Sequence, residues 1–428
     1  MPVIPAFGPI RGAGFRSTLL LGLLVALLLC AGCAQPPPAP VAVAPGETPL
    51  AYAMAVQALS ADLSAQVRSD AGRTEPGVAA VLNRLKGPPP ARQVVVDPFI
   101  DAQNGYGTQM TQRLQDDLSR ALLAATPDIR FASLTADNLA ASSYVMTGTV
   151  SFEPVAQGSG ERRYRALISV VDTRSARVVA HSSAWLAERN PDMTPLAAFQ
   201  DSPVFLNDRY ARGLVTTARG PAGAAADAVY FNQLSTAALL ADAQEAYARD
   251  AFREALGLYQ RAESRADGRS MKTYSGLYVS HLKLNNLPEA ERAFGQLVSV
   301  ALGEGNLSIR FLFRVNSTEF IADPRLSEQY RLWVRQLAQQ VVRNRVCLEV
   351  LGHSSRSGSE AYNDQLSLAR AEALRRQMQA DGPGALQLTR AIGRGTRDNL
   401  VGSGTDDARD AVDRRVEFRL IPCTVLRS

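Results

Sequence analysis

Residues 18–29 read Thr-Leu-Leu-Leu-Gly-Leu-Leu-Val-Ala-Leu-Leu-Leu, behind a stretch that carries Arg11 and Arg16 and no acid. An apolar core this short does not span a bilayer, and with a basic flank it reads as a secretory leader. Everything downstream is constrained by it: the mature chain is expected to fold outside the cytoplasm, in a compartment that permits disulfides. Ala31 and Gly32 precede Cys33, so residues 1–32 are assigned to the leader, and the Pro- and Ala-rich residues 33–48 to an extended tether. Apolar residues at 46% and charged residues at 20% give the 428-residue chain an ordinary globular balance, with room for about three domains. The 46 basic residues against 41 acidic ones leave a net charge of +5, part of it in the leader, which is too weak a field to imply a nucleic-acid partner. Three His and four Cys do not form a metal-ligand set, and no cofactor is expected.

Past the tether, residues 49–90 place Leu50, Met54, Leu59, Leu63 and Val67, then Val78, Val81, Leu82 and Leu85, at helical spacing, ending at Gly87-Pro88-Pro89-Pro90. Residues 91–190 predict the order β-α-β-α-β-β-β. A β-branched strand at 94–96 is stopped by Pro98, and a helix follows with Met110, Leu114, Leu118, Leu122 and Leu123 on one face. Three strands are expected at 144–152, 164–172 and 177–186, the last two joined by a turn at Asp172. Residues 191–235 show little periodicity and read as a connector. From residue 236 to 303 the pattern is helical and repeats: Ala255, Tyr259 and Ala262 recur as Ala290, Phe294 and Leu297, 35 positions later. The last part predicts a strand at 307–313, a helix at 326–342, strands at 346–351 and 386–392 with a helix from about Gln365 between them, and a strand at 414–420.

Several of these patterns resemble known families. Ala31-Gly32-Cys33 resembles the bacterial lipobox, which implies acylation of Cys33 and outer-membrane lipid as a partner. An amide-linked chain plus a diacyl group anchors stably where one chain is marginal. Val-Val-Asp-Pro at 95–98, residues 144–149 and the Asp172 turn resemble the α/β module of CsgG-like, TolB N-terminal and synthase-activating lipoproteins. The 35-residue recurrence resembles two tetratricopeptide repeats, whose period is about 34 residues, and which bind partner proteins.

Residues 305–423 resemble the OmpA-like C-terminal domain. The matching positions are Gly352-His353 before a Ser/Gly turn, Tyr362-Asn363, Leu366-Ser367, Arg370-Ala371, Gly393-Arg394-Gly395 and Arg414-Arg415-Val416-Glu417. The resemblance implies peptidoglycan binding, with an Asp on the ammonium and an Arg on the carboxylate of the stem-peptide diaminopimelate. Carried over, the Arg is Arg370, the Asp position holds Ser355, and Asn363 and Arg415 lie near the groove. Ser355 keeps an acceptor without the charge, and Arg356 beside it is cationic. Cys347 and Cys423 open one strand and follow another, and a bridge between them is expected as one of two alternatives, the other being free thiols.

The fold expected is therefore α+β multidomain: an α/β periplasmic module, a short helical-repeat segment, and a C-terminal OmpA-like mixed sheet with helices. The function expected is a lipid-anchored protein of the outer membrane, facing the periplasm, that docks on peptidoglycan and binds envelope proteins. The alternative is an assembly or regulatory scaffold, similar to synthase activators, whose OmpA-like domain has lost diaminopimelate binding. Catalysis is not expected, because His181, His281 and His353 fall in different modules and no nucleophile elbow is present.

Overall fold

The structure is a computed structural model, and it describes residues 48–73, 92–126, 128–155, 161–309, 311, 313–314, 316–320, 324–399 and 413–426. The leader, Cys33 and the tether up to residue 47 lie outside these, as do Val78, Val81, Leu82, Leu85 and the Pro-rich stop at 87–90. Among the described residues no helix is long and apolar enough to cross a membrane.

The first sheet takes the order β3-β1-β4-β5-β6, with β1 (Arg92–Val96), β3 (Ile129–Ser133), β4 (Tyr144–Pro154), β5 (Arg162–Asp172) and β6 (Arg177–Trp185), while β2 (Ile100–Asp101) pairs beside β4. The β1–β3, β1–β4 and β2–β4 pairs are parallel, and β4 to β6 form an antiparallel meander. Val94, Val95 and Val96 show no alternation because both faces are covered. Val94 and Val96 pack under α1 (Tyr52–Arg73) and α2 (Gln109–Ala125), and Val95 packs on the other side. Thr108 and Thr111 cap the start of α2 reciprocally, and Thr135 caps α3 (Ala136–Ala141) by accepting from Asn138 N. Leu50 pairs with Leu186 in a β-bridge instead of joining the helix, and Met54 and Leu123 are solvent-exposed, so these three depart from the expected helical faces.

The second cover layer comes from residues expected to be a connector. Within 191–235 the chain forms α4 (Ala197–Gln200), α5 (Arg209–Arg219) and α6 (Ala228–Asn232). Tyr210, Ala211, Leu214 and Tyr230 of this segment close over Val95, Ile100 and Val145. Its helices are short and separated by Gly and Pro, so the periodicity is too brief to stand out in the sequence.

Four helices follow: α7 (Leu234–Ala248), α8 (Phe252–Glu263), α9 (Met271–Lys283) and α10 (Leu287–Gly303). Ala255, Tyr259 and Ala262, and Ala290, Phe294 and Leu297, are buried at the positions of the recurrence. Gly276 admits the Tyr259 ring, since a Cβ there would lie 2.1 Å from it.

The second sheet has the order β7-β10-β8-β9: β7 (Leu307–Ile309), β10 (Val416–Ile421), β8 (Cys347–Gly352) and β9 (Thr389–Gly393). β8 and β9 are parallel, and β10 runs antiparallel to β7 and β8. Helices α11 (Pro324–Asn344) and α12 (Glu360–Asp381) bury Leu337, Val341, Leu374 and Met378 against Leu348, Val350, Val416 and Phe418. Val204 bridges to Ile309, which extends this sheet past β7. One continuous apolar core runs from Tyr106 and Phe199 through α7–α10 into the second sheet. The fold class is α+β with several modules, and the second sheet and the helices before it share a core.

Candidate functional site

The sequence-selected residues gather where β8 runs out into α12. Asn363, Ser367 and Arg370 recur at i, i+4 and i+7 on the buried stripe of α12 that continues as Leu374 and Met378. A stripe that starts polar and turns apolar places hydrogen-bonding groups at the sheet end and oil against its middle. The helix sits on strand ends stripped of side chains: a Cβ at Gly352 would lie 2.0 Å from Ser367 O, and one at Gly393 would lie 2.6 Å from Asp364 O. Ser367 Oγ accepts from Gly395 N at 2.9 Å, which fixes the rotation of α12.

Arg370 is 2% exposed. Its Nε donates to Ser317 O at 3.1 Å and its Nη2 to Arg314 O at 3.2 Å, and the guanidinium carbon lies 5.0 Å over the Phe313 ring. The loop it grips is a tight return: Phe313 bridges to Phe320, Arg314 N donates to Glu319 O at 2.9 Å, and Asn316 takes a positive φ of 52°. Two carbonyls and a ring set the plane of a group that carries five donors.

The loop after β8 is equally constrained. Its backbone is tied at His353 N to Arg415 O and at Ser354 N to Gly395 O. Gly358 (φ 90°) turns the chain, Ser359 caps α12 by accepting from Tyr362 N, and Asn363 Nδ2 donates to Ser357 O at 2.8 Å. Ser355 is buried, with its Oγ 3.3 Å from Ser357 Oγ. Asn363 of α12 thus holds the loop that carries Ser355, and Arg370 lies on the same helix stripe as Asn363.

Arg415 is placed elsewhere. It shares the face of Glu417, opposite Val416 and Phe418, and so points away from α12. Its Nε lies 2.5 Å from Glu417 Oε1 and its Nη2 donates to Asp398 O at 3.0 Å. Burial pushes the Glu417 carboxyl up, but His353 and Arg415 outweigh it and bring it to about 2. His353 Nε2 lies 3.6 Å from Glu417 Oε2, an ion-pair distance beyond hydrogen bonding. This His353–Glu417–Arg415 network, with Arg394 and Asp398 at 2.7 Å beside it, was not singled out from sequence. Its signal was present in the Arg-x-Glu alternation of 415–417, which puts both charges on one strand face. His353 Nδ1, Ser354 Oγ and Arg415 Nη1 are buried at this polar end of the sheet without a hydrogen bond to another protein group.

Cys347 and Cys423 are joined by a disulfide with Cα atoms 5.2 Å apart. The β8–β10 register sets Cys347 opposite Ile421, so the tail two residues on returns alongside it. Among the described residues no group of three His, Cys, Asp or Glu is placed to hold a metal.

Residues 312–413 match the OmpA family. No match was found among curated proteins. Among solved structures, the chain is similar to the peptidoglycan-associated lipoprotein of Burkholderia pseudomallei, at 26% identity over 27% of this chain and 89% of that one, with a TM-score of 0.23. It is also similar to the OmpA-like domain of FopA1 from Francisella tularensis, at 20% identity over 27% of this chain and 74% of that one, with a TM-score of 0.22. A third is the cell wall anchor of the type VI secretion system from Pseudomonas aeruginosa, at 22% identity over 27% of this chain and 79% of that one, with a TM-score of 0.22. The C-terminal part of the chain therefore carries an OmpA-like domain, matched over residues 312–413.

Proposed function

We propose that this protein is an outer-membrane lipoprotein, acylated on Cys33 and facing the periplasm, whose OmpA-like domain docks on the peptidoglycan stem peptide while its other modules hold envelope proteins. The observation that carries the reading is Arg370: a buried guanidinium, oriented by Ser317 O, Arg314 O and the Phe313 ring, at a sheet end that belongs to an OmpA-like domain. A guanidinium whose plane is fixed in advance recognises a carboxylate with little further ordering. Ser355 and Asn363 offer neutral hydrogen-bonding groups beside it, and Arg356 is exposed on the same loop.

Ser355 also supports a second reading, in which the protein is an envelope scaffold whose groove no longer grips a diaminopimelate ammonium. One experiment separates the two. The full chain, purified without its leader, is incubated with isolated sacculi. Retention is expected to fall at least about tenfold in Arg370→Lys, the loss of one bidentate charge-assisted pair, and to rise in Ser355→Asp. Equal retention of the parent and both variants sinks the docking reading. In cells, Cys33→Ser is expected to move the protein from the membrane to the soluble fraction, and an unchanged membrane fraction sinks the lipid anchor.

A further inference from the structure

The rings that support Arg370 continue beyond the OmpA-like domain. Phe313 lies 5.1 Å from Phe320, and Phe320 lies 5.2 Å from Phe311 and 4.8 Å from Tyr330. Phe311 and Tyr330 both reach Trp333, at 5.8 and 5.1 Å. Trp333 in turn stacks on Phe294 of α10 at 5.9 Å and donates from Nε1 to the Tyr278 hydroxyl of α9 at 2.7 Å. An unbroken aromatic ladder therefore runs from α9 and α10, outside residues 312–413, to the ring under the guanidinium of Arg370.

We infer that Tyr278, with Phe294 beside it, is a positioning residue for the Arg370 site, so that the helical pair and the ligand-binding end of the OmpA-like domain sense each other. The inference rests on the carboxylate-docking reading above. Trp333 cannot turn independently of α9, because its buried N–H would lose its acceptor. Phe311 and Tyr330 wedge against it and flank Phe320, and the Phe313–Phe320 bridge closes the loop whose carbonyls grip Arg370. Close-packed rings pass a displacement along instead of absorbing it. A second tie holds α11 to α10: Arg335 reaches both carboxylate oxygens of Glu291, at 2.8 and 2.7 Å. Coupling of this kind is reciprocal, so a partner held by the helices would alter affinity for the wall, and wall binding would alter affinity for the partner.

The chain has two tryptophans, Trp185 and Trp333, so Trp185→Phe leaves Trp333 as a reporter inside the ladder. In the full chain carrying that change, peptidoglycan fragments solubilised by lysozyme are expected to shift Trp333 emission saturably, and Arg370→Lys is expected to weaken the shift in parallel with sacculus retention. Tyr278→Phe is expected to weaken fragment binding between about 2- and 30-fold, the range of coupling changes seen for residues that touch neither ligand. Phe294→Leu should act in the same direction. Tyr274→Phe, on the same helix outside the ladder, should leave affinity unchanged. If Arg370-dependent retention persists while Trp333 is silent, or while Tyr278→Phe binds like the parent, the coupling is overturned and the docking reading stands. Absence of retention by the parent overturns both.

Discussion

Two residues of the proposed site were legible in the sequence to different degrees. Arg370 could be picked from its motif, but its burial and its carbonyl grip could not, because Arg314 and Ser317 are more than fifty positions away. Ser355 was visible as a missing charge; the structure adds that it is buried beside Ser357. Arg415 was expected near the groove from its motif, and the structure pairs its guanidinium with Glu417 and with the carbonyl of Asp398. A glycine sets the limit of tolerance here. At Gly352 a Cβ would meet the backbone carbonyl of Ser367 at 2.0 Å, and backbone cannot rotate away as a side chain can. Gly352→Ala is therefore expected to destabilise the protein by about 2–3 kcal/mol, in the range of overpacking defects. It should also lower sacculus retention by shifting α12. Thermal melts that match the parent would show that the helix yields freely.

At the scale of elements, β8 and β10 carry the site loop and its staple. The Cys347–Cys423 bridge closes a sequence separation of 76 residues, which restricts the unfolded chain. Replacing both cysteines by serine is expected to lower stability by about 2–4 kcal/mol, read from chemical denaturation of the full chain. Peptide mapping without reductant that finds both thiols free in the parent would remove the basis of that expectation. The pairing depended on strand order, which the sequence leaves open: only with β10 beside β8 does the tail end next to Cys347. Helix α5 shows the converse. Tyr210, Ala211, Leu214 and Ala218 are spaced as a buried helical face, yet eleven residues between loops are too few to separate from chance.

Over the whole molecule, buried charge is distributed unevenly, and this sets a pH dependence with opposite signs in two modules. In the α/β module burial pushes Asp97 and Asp101 up to about 6, against the hydrogen bonds that each accepts. Tyr210 donates to Asp97 at 2.6 Å across the layer supplied by residues 191–235. A carboxyl raised in the folded state favours the protonated form, so its penalty is full above pH 6 and vanishes below the ordinary value near 4. Each group is worth at most on the order of 3 kcal/mol. Glu417 in the OmpA-like domain has the opposite sign: held at about 2, it stabilises above pH 4.5, and this support is lost as pH falls toward 2. Hydrogen exchange resolved by peptide should therefore show β1 better protected at pH 5 than at pH 7, and β10 losing protection below pH 4. Equal pH responses in both regions would show that these burials are relieved by solvent.

Local order and periodicity were enough to determine the βαβ start and the buried helical recurrence, because each is written within a few turns of chain, and the resemblance of local motifs was enough to mark the OmpA-like domain. Tertiary structure alone decided which residues outside those motifs pack around Arg370. The loop under Arg370, the second cover of the first sheet and the ladder to Tyr278 all join residues some fifty to a hundred positions apart. Such contacts arise from layers closing over a shared core, and no spacing rule in the sequence encodes them. That the OmpA-like end is packed into the helices before it was decided only when the chain closed its layers over one core.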